Sequence, residues 1–289
     1  MEKTASKKLF DTYRQQLQSL YPPEEAQTIA FWLLEHYLKL SKTSILINQT
    51  IEITQAQQDA LTNAVERLQN NEPIQYILGY TEFYGLTFQV QPGVLIPRPE
   101  TEELVDWIIQ DNQKLPVKIL DIGTGSGCIA ISLAKNLAQA EVTALDVSEE
   151  ALKIAETNAI QNQAKVQFIQ DDILNPQSLP QLIPDHSLDI IVSNPPYVTP
   201  AEKEQMRANV LEHEPELALF IPQDQPLLFY EAIARLATQK LKPNGQLYFE
   251  INEQFGQETK AMLLEKGFEK VVIKKDGFGK DRMVRGVKK

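Results

Sequence analysis

Two separated stretches of the chain carry residue types whose spacing could do chemistry. The first is Asn194-Pro195-Pro196-Tyr197, which follows the apolar run Leu188 to Ser193. Two consecutive prolines fix the backbone and remove two N–H donors. Pro196 also pushes Pro195 toward an extended conformation. What remains is a rigid turn rich in acceptors, the Asn194 side-chain oxygen and the Pro195 carbonyl. Two fixed acceptors match the two hydrogens of a planar –NH2 group, and Tyr197 offers a flat face against which a planar amide or base stacks. An amide nitrogen is a poor nucleophile because its lone pair is delocalised. Held by both hydrogens, it is aimed in line at an electrophilic carbon. The same acceptors stabilise the positive charge that grows on the nitrogen. Asn194, Pro195 and Tyr197 are therefore the candidate catalytic residues, and Asn194, Pro195, Pro196 and Tyr197 the candidate substrate site. Such an attack needs no strong general base, and His36, His186 and His213 sit in unrelated contexts.

The second stretch is Asp121-Ile122-Gly123-Thr124-Gly125-Ser126-Gly127. Glycines there permit a tight turn and let the backbone approach a ligand. A dinucleotide fingerprint would place its third glycine five positions after the first; here that position is Cys128, and the third glycine comes early, at Gly127. Gly-x-Gly-x-Gly behind an acidic residue is the pattern of S-adenosyl-L-methionine-binding enzymes. Gly123, Thr124, Gly125, Ser126 and Gly127 are thus candidate cofactor residues. Asp146 ends the next strand, where a carboxylate accepts both ribose hydroxyls; the competing reading is a helix N-cap before Ser148-Glu149. Asp172 follows the third strand and suits the adenine amino hydrogens, with Asp171 beside it as an open alternative. Ile173 supplies an apolar wall for the adenine ring, or simply core.

These loops need elements to hold them. Up to about Asn71 the chain reads as helices, with apolar stripes Leu9-Tyr13-Leu17-Leu20, Ile29-Leu33-Tyr37 and Ala60-Ala64-Val65-Leu68 at spacings of three and four. Pro22-Pro23 separates the first helix from the second, and Glu24-Glu25 suit the new helix's first turn. Phe83 to Val90 alternates and ends at Pro92-Gly93, the pattern of a hairpin. Val94-Leu95-Ile96 reads as a further short strand, and Thr101 as the cap of the helix through Leu104 and Ile108. From Val117 strands and helices alternate, which implies a parallel, doubly wound sheet with right-handed crossovers. The expected organisation is a helical bundle at 1–72, a hairpin and hinge at 73–102, and the catalytic α/β domain at 103–289.

Composition narrows the function classes. The 43% hydrophobic content of the 289 residues is ordinary for a globular chain, and no apolar run approaches the roughly 20 residues that cross a bilayer. The start is polar and Lys-rich, unlike a signal peptide. A single cysteine, Cys128, excludes an internal disulfide and any multi-cysteine metal site, which points to a cytoplasmic, reducing compartment. A formal net charge of -11 argues against a protein that grips nucleic acid by its phosphates. The basic tail Lys274 to Lys289 reads as a solvated final strand.

Taken together, Leu95-Ile96-Pro97-Arg98-Pro99-Glu100-Thr101-Glu102, Ile119 to Gly127 and Ser193 to Tyr197 resemble the release factor glutamine methyltransferases. Weaker matches are Phe83-Tyr84-Gly85, Glu214-Pro215 with Ala218-Leu219, and Glu250-Ile251. The resemblance spans nearly the whole chain. It implies an α/β fold: a doubly wound, Rossmann-like class I methyltransferase sheet with a small N-terminal helical bundle for substrate recognition. It also implies methyl transfer from S-adenosyl-L-methionine, without a metal, to the N5 nitrogen of the glutamine in a Gly-Gly-Gln motif of peptide chain release factors. By the same resemblance Gly123 to Gly127 and Asp146 hold the cofactor, Asn194 meets cofactor and substrate, and Pro195 to Tyr197 meet the glutamine. Two positions depart from the family pattern. Ile221-Pro222 stands where paired glycines are usual, and Asn252 follows Glu250-Ile251 where glycine is frequent; both are expected to lie off the essential loops. Arg98 and Glu100 either brace the hinge against the site or form a plain salt bridge. A monomer that binds neither nucleic acid nor membrane is expected. The competing readings are a methyltransferase acting on an exocyclic amine of adenine or guanine, for which the turn suits a flipped base equally well, and a non-catalytic S-adenosylmethionine-binding protein.

Overall fold

A computed structural model describes residues 2–113 and 116–289, and the chain divides into two compact units. Met1 and residues 114–115, which fall in the expected first and third segments, lie outside the described residues. The first unit runs to Gly79 and also takes in the later segment Ala208–His213; the second holds Tyr80–Arg207 and Glu214–Lys289.

In the first unit β1 (Glu2–Ala5) leads into α1 (Ser6–Leu17), α2 (Pro23–Leu38), α3 (Lys42–Leu46), β2 (Thr50–Ile53), α4 (Gln55–Gln69) and α5 (Ile74–Leu78). Pro23 opens α2 with Glu24 and Glu25 in its first turn, where they face the positive end of the helix. Thr54 and Gln57 form a reciprocal capping box at the start of α4. The core gathers Phe10, Tyr13, Leu17, Ile29, Leu33, Leu34, Leu61, Ala64 and Leu68. Two expectations are corrected here. The segment is not purely helical, because β1 pairs antiparallel with β2, from Glu2 opposite Ile53 to Ala5 opposite Thr50. The stripe of α1 also centres on Phe10 rather than Leu9, and Leu20 is exposed.

The second unit opens with the hairpin β3 (Tyr80–Phe83) and β4 (Leu86–Gln89). Its two-residue turn, Tyr84-Gly85, has φ of 49° and 73°, the doubly left-handed geometry that tight hairpins require. Then come α6 (Pro99–Asn112), β5 (Lys118–Ile122), α7 (Cys128–Asn136), β6 (Glu141–Asp146), α8 (Glu149–Gln161), β7 (Val166–Gln170), α9 (Leu179–Leu182) and β8 (Leu188–Ser193). After α10 (Ala208–His213), which belongs to the first unit, follow α11 (Glu216–Leu219), α12 (Leu228–Lys240), β9 (Leu241–Glu250), α13 (Gly256–Glu265), β10 (Phe268–Lys275) and β11 (Asp281–Lys288).

These strands form one seven-stranded sheet in the order β10-β11-β9-β8-β5-β6-β7. From β9 to β7 every pairing is parallel, as expected of a doubly wound sheet. Beyond β9 the sheet turns antiparallel; β10 and β11 must pair that way because the 276–280 turn between them is too brief for a parallel crossover. Both faces of the sheet are covered, so its central strands are continuous apolar runs. Leu120, Ile122, Ile191, Leu247 and Phe249 pack on one face; Ile119, Val142, Ile190, Val192 and Tyr248 pack on the other.

Residues 94–96 form no strand. Thr101 does not cap α6 either. Pro99 is tolerated as the first helical residue because its missing N–H would be unsatisfied there, so the helix starts early and Arg98 takes the cap position. Among the described residues no helix is long and apolar enough to cross a membrane.

Candidate active site

Within the second unit a cavity of about 410 Å³ opens at the carboxyl ends of β5, β6 and β8, the end of a doubly wound sheet where ligands bind. Of the residues singled out from the sequence, Gly123, Gly125, Asp146, Asp172, Ile173, Asn194, Pro195 and Pro196 line it, and so does Asp171. Leu95, Pro215, Ala218 and Phe229 complete the walls. Thr124, Ser126, Gly127 and Tyr197 are not part of the lining; they hold the parts that are.

The glycine loop is built by backbone bonds. Gly123 N and Thr124 N both donate to Leu145 O, at 2.8 and 3.0 Å, and Gly127 N donates to Thr124 O at 2.8 Å. Gly127 has φ of 82°. A Cβ on it would stand 2.9 Å from Ile131 Cδ1 and 3.1 Å from the Ala155 Cβ, so the start of α7 packs too closely for any side chain. Below the loop lies the buried Asp121, whose Oδ2 accepts from Thr124 Oγ1 at 2.7 Å and from Ala130 N at 3.2 Å. Burial pushes its carboxyl up to about 7 against those two bonds. Asn158 ties the loop to the hairpin, donating to Ser126 O at 2.9 Å and to Gln89 O at 3.0 Å while accepting from Gln89 N at 2.7 Å.

Asp146 Oδ2 accepts from Gly125 N at 2.8 Å and Oδ1 from Ser148 N at 3.0 Å. Each carboxylate oxygen keeps a further lone pair for a ligand hydroxyl. Burial raises the pKa of this carboxyl, opposed by the same N–H groups. The N-cap of α8 is Ser148, which accepts from Ala151 N at 3.1 Å, so the capping reading of Asp146 falls away. The neighbouring pair separates by its bonds. Asp171 accepts from Gln177 N, Ser178 N and Leu179 N at 2.9, 2.9 and 2.7 Å; burial works to raise its pKa, but these N–H groups hold it below the usual carboxylate range. Asp172 accepts from Leu174 N at Oδ1, 2.9 Å, and is the acid of the pair whose side chain is least committed to the loop. Ile173 lines the cavity and also joins the core.

The turn after β8 rests on a polar network. Asn194 Nδ2 donates to Thr101 Oγ1 at 3.3 Å, and Thr101 Oγ1 donates to Glu250 Oε2 at 2.6 Å. The Tyr197 hydroxyl turns to Glu250 Oε1 at 3.0 Å. Burial raises the Glu250 carboxyl, opposed by the Thr101 and Tyr197 donors and by the charge of Arg282. Burial and the Glu250 charge raise the Tyr197 phenol further above its already high ordinary value.

Of the two departures from the family pattern, Asn252 touches this turn, contrary to expectation, and Ile221 bonds the residue that follows it. Asn252 Nδ2 donates to Tyr197 O at 3.2 Å and to the Glu202 carboxylate at 2.9 and 3.0 Å. Ile221 N donates to Val198 O at 3.0 Å, and Val198 N to Leu219 O at 2.8 Å. The buried Glu214 accepts from Ile96 N at 3.1 Å and pairs with Arg98 at 2.5 Å. Arg98 therefore ties the segment carrying Leu95 to the segment carrying Pro215, both on the cavity wall. The sequence marks Thr101, Glu214 and Glu250 only as parts of matching segments, and suggests a capping role for Thr101. Their partners lie 53 to 149 positions away in sequence, beyond the reach of local patterns.

Known proteins share both halves of this arrangement. Residues 8–79 match the family model described as the PrmC N-terminal domain, and residues 101–217 that of the methyltransferase small domain. The release factor glutamine methyltransferase of Bacteroides thetaiotaomicron is 50% identical over 94% of this chain and 96% of its own length. The protein of the same name from Flavobacterium psychrophilum is 46% identical over 96% and 98%, and that of Lactococcus lactis 48% over 85% and 88%. Two solved structures share the class I methyltransferase fold at 19% identity. One is a methyltransferase from Pyrococcus furiosus, with a TM-score of 0.51 over 78% of this chain and 98% of that one. The other is the Thermus thermophilus 16S rRNA N2 G1207 methyltransferase in complex with AdoMet and guanosine, with a TM-score of 0.52 over 73% and 50%.

Proposed function

We propose, for a chain that belongs to the release factor glutamine methyltransferase family, that it transfers the methyl group of S-adenosyl-L-methionine to the side-chain N5 nitrogen of the glutamine in the Gly-Gly-Gln motif of peptide chain release factors. The observation that carries this reading is the wall of Asn194, Pro195 and Pro196 in the same cavity as Gly123, Gly125, Asp146 and Asp172. On this reading one cavity takes both the planar –NH2 group and the nucleoside.

The residues fit the methyl donor. Asp146 keeps lone pairs for the ribose hydroxyls, Asp172 suits the adenine amino group, Ile173 gives the ring an apolar side, and Gly123 and Gly125 let backbone approach without a Cβ. Bound there, S-adenosyl-L-methionine supplies a sulfonium methyl with its leaving group attached, so this reading needs no metal ion. On the acceptor side, Asn194 Oδ1 and the Pro195 carbonyl take the two amide hydrogens and aim the nitrogen lone pair at the methyl carbon. Methyl transfer would form the N–C bond as the donor's C–S bond breaks, with S-adenosylhomocysteine as the leaving group and the nitrogen's proton, acidic once methylation proceeds, passing to water. The same oxygens face the positive charge developing on nitrogen. The Tyr197 hydroxyl is committed to Glu250, so the reading gives Tyr197 a part in holding the turn as well as in meeting the glutamine. We assign recognition of the protein substrate to residues 1–72, and a cytoplasmic monomer that does not grip nucleic acid fits the net charge of -11.

The test is methyl transfer from labelled S-adenosyl-L-methionine to a purified release factor and to a copy whose Gly-Gly-Gln glutamine is alanine. Label on the first alone is the expected result. Label on neither, with label on DNA or RNA offered in parallel, would replace this reading with that of a nucleic-acid methyltransferase.

A further inference from the structure

Behind the cavity wall runs a chain of hydrogen bonds with a single direction. It starts at Glu250, buried at the end of β9. An ionised carboxylate only accepts, so Thr101, whose Oγ1 lies 2.6 Å from Glu250 Oε2, must give it the hydroxyl proton. That leaves Oγ1 with lone pairs only for its second neighbour. The neighbour is the Asn194 side chain, 3.3 Å away, which must therefore present its NH2 group. The two ends of a planar amide lie on opposite sides of its carbon. With Nδ2 held by Thr101, Oδ1 is turned from Thr101, on a residue that lines the cavity. The Tyr197 hydroxyl donates to the other Glu250 oxygen at 3.0 Å, so one carboxylate orients both ends of the turn.

We infer that Thr101 and Glu250 are positioning residues that lock the Asn194 amide with its oxygen toward the acceptor nitrogen, and that the lock holds only while Glu250 is ionised. The inference rests on the functional reading above, which makes Asn194 Oδ1 an acceptor for the substrate –NH2. A flipped Asn194 would offer two N–H donors to a group that itself only donates there. Without the lock both orientations are open, because nothing in the shape of an amide tells oxygen from nitrogen. A protonated Glu250 can donate to Thr101, and Thr101 can then donate to Asn194 Oδ1, the wrong orientation. Several groups face the carboxylate: Thr101 and Glu100 from α6, Cys128 from α7, Tyr197 from the turn, Tyr230 from α12 and Arg282 from β11. Burial is the largest influence and raises its pKa. The lock is therefore released as pH falls through a value above the ordinary carboxylate range.

Two measurements test this, one through turnover and one without it. In methyl transfer to the release factor, Thr101→Val keeps the shape and loses the relay. Its kcat should fall roughly 10- to 100-fold, the scale for a misplaced reacting group, with the Kd for S-adenosyl-L-methionine changed less than about twofold. Thr101→Ser restores the hydroxyl and should recover most of the rate. Glu250→Gln cannot titrate, and the acid limb of the wild-type kcat profile should vanish in it. A Thr101→Val rate equal to wild type, or an acid limb unchanged in Glu250→Gln, overturns the inference. The second measurement follows the side-chain amide of Asn194 by 15N NMR, assigned by its loss in Asn194→Asp. In the wild-type protein its shift should titrate with the Glu250 carboxyl carbon at one midpoint, and in Thr101→Ser likewise. Independent titration overturns the relay whatever the substrate proves to be. Wild-type protein that transfers no methyl group to the release factor refutes the functional reading instead, and the NMR titration still decides the relay.

Discussion

Asn194 meets two demands with one small side chain: Nδ2 is anchored to Thr101, and the residue lines the cavity, where the proposed reading asks Oδ1 to accept from the substrate amide. The variant Asn194→Ala should lower kcat roughly 100- to 1,000-fold, as removal of one oxyanion-hole donor does elsewhere, while calorimetry shows most of the affinity for S-adenosyl-L-methionine retained. Equal loss of rate and affinity would make Asn194 mainly a part of the cofactor site. Its place on the cavity wall was legible in the sequence because the turn that carries it is local, in the rigidity of two prolines. The different bonding of Asp171 and Asp172 was not, since neighbours in sequence differ only in what the fold brings to them. Asp121 yields a prediction with a definite sign. Its carboxyl is raised from 3.8 to about 7 in the folded protein, so between those values the native state binds the extra proton. Stability contributed by this group is present at the acid end and declines as pH rises toward about 7. Replacing it, Asp121→Asn, should leave a protein whose stability relative to wild type rises between about pH 4 and pH 7, read from urea midpoints. A flat difference would mean that Asp121 is already ionised at the acid end.

At the level of elements, what positions the site is the junction of β5 with α7. Gly127→Ala places a Cβ against Ile131 and Ala155 in a left-handed backbone, and should cost about 2 kcal/mol or more, on the scale of an overpacked core. Denaturant unfolding measures the cost, and weaker binding of S-adenosyl-L-methionine should accompany it. An unchanged midpoint would show that α7 can shift away at no cost. The alternation of strands and helices from residue 117 onward was readable because strands buried on both faces are continuous apolar runs. The antiparallel return of β11 was not, because a strand's own pattern does not say which neighbour it pairs with. Residues 94–96 have the composition of a strand without forming one. Val94 N donates back to Gln91 O, and Ile96 N to the Glu214 carboxylate, which supply what a sheet neighbour would have supplied.

Over the whole molecule, the cavity draws its lining from the second unit. A protein lacking residues 1–79 should therefore keep its affinity for S-adenosyl-L-methionine within about tenfold, since a unit with its own core can fold alone. Its methyl transfer to the release factor should fall about 100-fold or more, because remote contacts with a large substrate supply binding energy to the reacting centre. Full activity in the shortened protein would remove the N-terminal unit from substrate recognition. The family resemblance made the two-part organisation legible, but not the return of α10 to the first unit, where His213 meets Asn70 O at 2.9 Å and Asn71 meets Glu212 at 3.1 Å. Nothing in residues 208–213 read alone announces that partnership. It has a consequence for the nascent chain. The N-terminal unit leaves the ribosome first, yet its last piece is encoded beyond most of the catalytic sheet. At ordinary rates of synthesis that piece follows on the order of ten seconds later. For that interval Asn70 and Asn71 wait in an incomplete unit, so the segment that begins folding first is finished only after β8 and its Asn194 turn have been made.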